Sequence, residues 1–273
     1  MNKKRFWMYI GISFGLTWGI AALSYAIGIR YEDAAMQFVL VLSMFAPAAA
    51  MFLTGFFTKE GFRGRNPSIG FAGKKRYYVF AVLVPVLYTE AGWGLILFRH
   101  PEAFSVERLS FILPAASLVN ALIYSSGAFG EEAGWRGYMY PKLAERFGDV
   151  GACLLGGTIW AVWHFPMIVQ GHAFGLNYPG APYLGCLAFI PYCIGVGAIQ
   201  WYLTRKSGSV WPAVFLHAVN NAYMNGAFLM TAVTDAGEIL DNGNRLVEMT
   251  VLMLPAVLTG MVCMVIMRKK KES

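Results

Sequence analysis

Eight long apolar runs separated by short polar segments set the pattern of the chain, near residues 6–28, 35–57, 77–98, 110–132, 151–170, 183–204, 210–231 and 249–267. A helix needs about 20 mainly apolar residues to cross the ~30 Å hydrocarbon layer of a membrane, so each run predicts one span. The connecting segments are short, and no internal repeat or low-complexity stretch interrupts them. The expected fold is therefore all-α: a single transmembrane domain over residues 1–273, built as a polytopic bundle of about eight helices. The basic start and apolar run over 3–28 resemble a signal peptide, but the run is long enough to span and others follow, so it reads as a retained first helix.

Composition supports this class. Of 273 residues, 57% are hydrophobic and only 14% charged, with a mean hydropathy of +0.51. The net charge of +7 comes from Lys and Arg placed beside apolar runs, where anionic headgroups are the nearest partner. Membrane lipids are thus expected partners, and nucleic acid is not. Basic residues near span ends stay cytoplasmic. Eighteen of the 22 Lys and Arg residues fall at the N-terminus, at the C-terminus and in the even-numbered loops, while Arg30, Arg99, Arg108 and Arg245 lie in the odd-numbered ones. This asymmetry predicts that both termini are cytoplasmic, and a prokaryotic source would place the protein in the cell membrane. Cys153, Cys186, Cys193 and Cys263 stand singly in apolar stretches, which suits packing rather than disulfides or a thiolate metal site.

A carboxylate or imidazole within hydrocarbon is costly unless paired or hydrated, so such residues are functional candidates. They are Glu90 in span 3, Glu131 and Glu132 at the end of span 4, His164 in span 5, and His217, Asn220 and Asn221 in span 7. Glu132 and Arg136 are four apart and can pair on one helix face, while Glu131 points about 100° away, free to act as a general base. A plainer reading makes Glu131 and Glu132 solvated acids at a helix end. Trp160 and His164 share a face of span 5, and His217 and Asn221 share one in span 7, a pairing that suits an oxyanion or simple interhelical hydrogen bonding. For Glu131 to join the histidines, span 4 must run on through Arg136, towards Leu143, and draw both glutamates into a wet cavity open to the cytoplasm. Glu90 reads either as support for the site or, in preference, as a protonated packing acid. His100 and His172 read as ordinary surface residues of external loops.

Glu131-Glu132-Ala-Gly-Trp-Arg136, then Trp160 to His164, then His217 to Asn221, resemble in order and spacing the signature of the CAAX protease and bacteriocin-processing family, also called CPBP or Abi, which includes the Rce1-type prenyl endopeptidases. The resemblance covers about 110–230, the expected protease core. It implies an intramembrane endopeptidase that cuts a peptide, a lipidated protein tail or a membrane protein near the cytoplasmic face. Glu131 and His164 would activate water, His217 and Asn221 would hold the oxyanion, and Glu132 and Arg136 would support Glu131. Trp160 stands where many members carry Phe, a departure expected to leave the chemistry intact. Members have been described both as metalloenzymes and as glutamate-dependent proteases. No cofactor is favoured, and Zn2+, if present, would fall to Glu131, His164 and His217. A different class of function is a non-catalytic immunity or scaffold protein of the same family.

Overall fold

A computed structural model describes residues 2–61, 67–241 and 243–269. Helix α1 (Lys3–Ala26) is followed by α2 (Ala34–Met44) and α3 (Ala46–Phe57), which together form one span broken at Phe45. Pro47 lies in the first turn of α3 and has no N–H to give to the preceding turn. After α4 (Lys75–Arg99), α5 (Ile112–Gly134) runs through a π-helical turn at Trp135–Met139 directly into α6 (Tyr140–Ile168). This 57-residue stretch is far longer than one bilayer crossing. It doubles back at Gly148, whose φ of 72° and ψ of 174° belong to glycine alone. Helices α7 (Tyr183–Ser207), α8 (Trp211–Tyr223), α9 (Phe228–Thr231), α10 (Ala236–Asp241) and α11 (Arg245–Lys269) complete the chain.

Among the described residues, six helical stretches are long and apolar enough to cross a membrane. The bent one is long enough to cross twice, and the short, buried α8 packs against α5 and α4 as a further helix of the bundle. The protein is an all-helical integral membrane protein. Helix α5 lies along α8, α6 along α7, and α7 along α11. Glycines allow two of these backbones to touch: a Cβ on Gly260 of α11 would collide with the backbone of Gly195 in α7. Such close approach drives helix association where no hydrophobic force acts between helices. All four cysteines are free and buried, as packing residues.

Helix α5 continues past the apolar boundary of span 4, through Arg136 and Leu143 to Gly148. Span 7 is shorter than its apolar run implies. α8 stops at Tyr223, where Met224-Asn225-Gly226 forms a turn, and Asn-Gly favours turns over helix. The two ends of the bundle hold different loops. At one end Arg5 donates to the Thr58 carbonyl at 3.2 Å, Lys142 pairs with Glu60 at 2.8 Å, and Arg205 meets Asp149 at 3.3 Å. At the other, Arg99 pairs with Glu248 at 2.9 Å and Tyr31 meets His172 at 2.9 Å. The first end carries the even-numbered loops. Of the cations assigned there, Arg63, Arg65, Lys270 and Lys271 lie outside the described residues.

Candidate active site

The continuous α5–π–α6 path carries Glu131, Glu132 and Arg136 into the protein interior rather than to its edge. Glu131 is 2% exposed, Glu132 and Arg136 0%, so the glutamates are enclosed, not open to a wet cavity. Aromatic packing accounts for this: Trp135 is fully buried and sits edge-on to Tyr9 and Trp163, while Trp160 is 4% exposed. Nor are these acids solvated at a helix end.

Glu132 is the hub of the charges. Its Oε1 accepts from Arg136 Nη1, from Gln200 Nε2 on α7 and from His217 Nδ1 on α8, each at 2.9 Å. Three helices thus converge on one oxygen. A buried charge is tolerated only when paired and hydrogen-bonded, and the Arg136 guanidinium also lies 4.7 Å from the ring centres of both Tyr140 and Trp160.

Glu131 points to a different set. Its Oε2 accepts from the Trp160 indole N–H at 2.7 Å and from Trp135 at 3.3 Å, an arrangement that leaves Oε1 as the oxygen able to take a proton. Trp160 reaches further. Its carbonyl lies 2.8 Å from His164 Nδ1, and its ring stands 5.5 Å from those of both His164 and His217. A carbonyl can only accept, so His164 carries its proton on Nδ1 and presents a lone pair at Nε2. A Phe at 160 would leave Glu131 Oε2 only the longer bond from Trp135.

Asn221 is half-buried one turn beyond His217, and its Oδ1 accepts from Asn220 Nδ2 at 3.3 Å. Asn220 itself is 7% exposed and receives hydroxyls from Tyr88 of α4 and Tyr192 of α7. His172 is no ordinary surface residue. Its ring lies parallel to that of His164, 5.9 Å between centres and 6° between planes, and its Nδ1 meets the Tyr31 hydroxyl. Burial pushes His172 down from the usual imidazole value to about 4. His100 is likewise engaged, 3.4 Å from Glu248. Glu90 has partners away from the cluster. It accepts from the Tyr223 hydroxyl at 2.6 Å and from the N–H groups of Phe228 and Leu229 at 2.7 and 2.9 Å, which caps α9.

Sequence reasoning missed Gln200, Tyr88, Tyr192, Tyr31 and the indole donors. Gln200 was visible as an uncharged amide inside an apolar run, but tyrosines and tryptophans at helical spacing look the same whether they pack or donate. Among the described residues no three His, Cys, Asp or Glu side chains gather as a metal site. The partners at His217 Nδ1, His164 Nδ1 and Glu131 Oε2 occupy only one donor atom of each, and the other ring nitrogen or carboxylate oxygen is the one a metal would take.

The family model described as "Type II CAAX prenyl endopeptidase Rce1-like" matches residues 76–223, from the start of α4 to the end of α8. The chain belongs to this family. Among curated proteins it is similar to CAAX prenyl protease 2 of Methanococcus maripaludis, 29% identical over 114 residues, 41% of each chain. The Rce1-like match takes in α4, α5, α6, α7 and α8, the helices that carry the cluster and its supports. The part of the relative that aligns is about two-fifths of its length.

Proposed function

We propose that this protein is an intramembrane endopeptidase that hydrolyses a peptide bond near the basic, cytoplasmic side of the membrane by glutamate-dependent attack of water. The observation that carries the reading is the enclosed cluster of Glu131, Glu132, Arg136, Trp160 and His217 within the family-matched segment. Glu131 Oε1 takes a proton from a water oriented by His164 Nε2, and the water oxygen bonds to the scissile carbonyl carbon. The carbonyl oxygen becomes an oxyanion, held by Nε2–H of His217 and Nδ2–H of Asn221. Collapse of this intermediate breaks the C–N bond, and Glu131 returns its proton to the leaving amine.

His217 already directs Nδ1 at Glu132, so a ring that also donates through Nε2 is an imidazolium. Glu131 and Glu132 then balance His217 and Arg136, two charges against two, which suits an enclosed low-dielectric site. Glu132 and Arg136 serve to hold the frame. The substrate is a membrane-associated peptide, and the name of the similar archaeal protein makes a prenylated C-terminal tail the first class to try.

The test is cleavage of fluorogenic peptides, with and without a prenyl group, by detergent-purified wild type, Glu131→Ala and His164→Ala, each with and without chelator. Loss of cleavage in both variants with chelator resistance is the expected result. Chelator sensitivity restored by zinc would replace the metal-free mechanism with a metalloenzyme. Activity that survives both substitutions would sink the site. No cleavage by folded wild type across the panel would favour the immunity or scaffold role.

A further inference from the structure

Asn220 neighbours the proposed oxyanion donor yet points into a different set of contacts. Its Oδ1 accepts two hydroxyls, Tyr88 at 2.6 Å and Tyr192 at 2.8 Å, while its Nδ2 donates to Asn221 Oδ1 at 3.3 Å. Tyr88 and Tyr192 are both 5% exposed. Rotating the Asn220 amide by 180° would turn its NH2 towards both hydroxyls and strand two phenolic protons in an apolar interior, at a cost that fixes the amide as it stands. With Asn220 fixed, the oxygen of Asn221 is spoken for. Its Nδ2–H groups then face the other way, on the α8 face shared with His217 four residues earlier.

Resting on the protease reading, we propose that Tyr88, Tyr192 and Asn220 are positioning residues that set the orientation of the Asn221 amide, so that it offers N–H and not C=O to the carbonyl oxygen of the scissile bond. An amide free to rotate would present its oxygen to a developing oxyanion part of the time, and repulsion would replace stabilisation. Three helices contribute: α4 through Tyr88, α7 through Tyr192 and α8 through Asn220. Interhelical hydrogen bonding alone would need no such polarity. Here every donor in the series points the same way and the series ends on the Asn221 oxygen.

The test compares wild type, Tyr88→Phe/Tyr192→Phe and Asn220→Leu, each with Asn221 intact and with Asn221→Ala, on the peptide that wild type cleaves best. Removing a single oxyanion donor costs about 10²–10³-fold in kcat, so Asn221→Ala should show that loss. Asn220→Leu should lose about 10²-fold and the double Phe variant about 10-fold, an intermediate effect of the same kind. KM should stay within about twofold, because the amide acts on the transition state. Neither change should lower the rate further once Asn221 is Ala. A folded Asn220→Leu or double Phe variant with wild-type kcat, a rise confined to KM, or a loss that multiplies with that of Asn221→Ala would overturn the proposal. The Phe pair keeps both rings and remains informative if Asn220→Leu does not fold. Wild type that cleaves nothing would remove the parent reading and this one together, whereas active wild type with an indifferent Asn220 removes only this one.

Discussion

Trp160 does the work of several residues: its N–H binds Glu131, its carbonyl binds His164, and its ring touches Arg136 and both histidines. Trp160→Phe preserves the ring and removes the donor. A hydrogen bond to a charged group is worth about 1.5–3 kcal/mol, so kcat should fall at least about tenfold, with Trp135 retaining Glu131 loosely. Steady-state kinetics with a folded variant checks this, and an unchanged kcat would mean that the indole bond is incidental. His172 supplies a pH prediction. Its folded value is about 4, lowered by burial from an ordinary 6.5, so between those values the unfolded chain binds more protons than the folded one. The contribution of His172 to stability is complete above about pH 6.5 and is lost as pH falls towards 4. Groups facing it include His164 and Tyr31. Melting temperature in detergent should drop less between pH 7 and 4.5 in His172→Phe than in wild type; parallel curves would remove this role.

At the scale of elements, most of the bundle was legible because the membrane leaves the backbone few options. Runs of apolar residues became helices at nearly the expected places, and the need to bring Glu131 to the histidines foretold that α5 would continue beyond its apolar stretch. The rest lay in features that composition does not encode. The cap on α9 depends on where the Glu90 carboxylate meets two backbone N–H groups. The π turn at Trp135–Met139 begins at the residues that reach back four positions, Trp135 to Glu131 and Arg136 to Glu132, and such local widening recurs at functional sites. Glu90→Gln keeps the size and gives up one accepting oxygen. It should cost about 1–3 kcal/mol, seen as a lower melting temperature and faster proteolysis within 224–234; unchanged melting and cleavage would show that the cap is dispensable.

For the whole molecule, the separation of loops between two ends gives a test of orientation. The four native cysteines are buried, so an added one reports its own environment. Asn2 and Glu107 are exposed at opposite ends. With a membrane-impermeant maleimide on intact cells, Glu107→Cys should label and Asn2→Cys should label only after permeabilisation; the reverse pattern would invert the protein. The enclosure of Glu131 bears on behaviour in the membrane as well. On the proposed mechanism, a base sealed by Trp135 and Trp160 would be idle by default, harmless to the crowd of peptide bonds around it. Turnover would then depend on how often the helices part, which would tie its rate to the thickness and fluidity of the surrounding lipid, and leave selection of substrates to what can hold that opening rather than to the bond being cut.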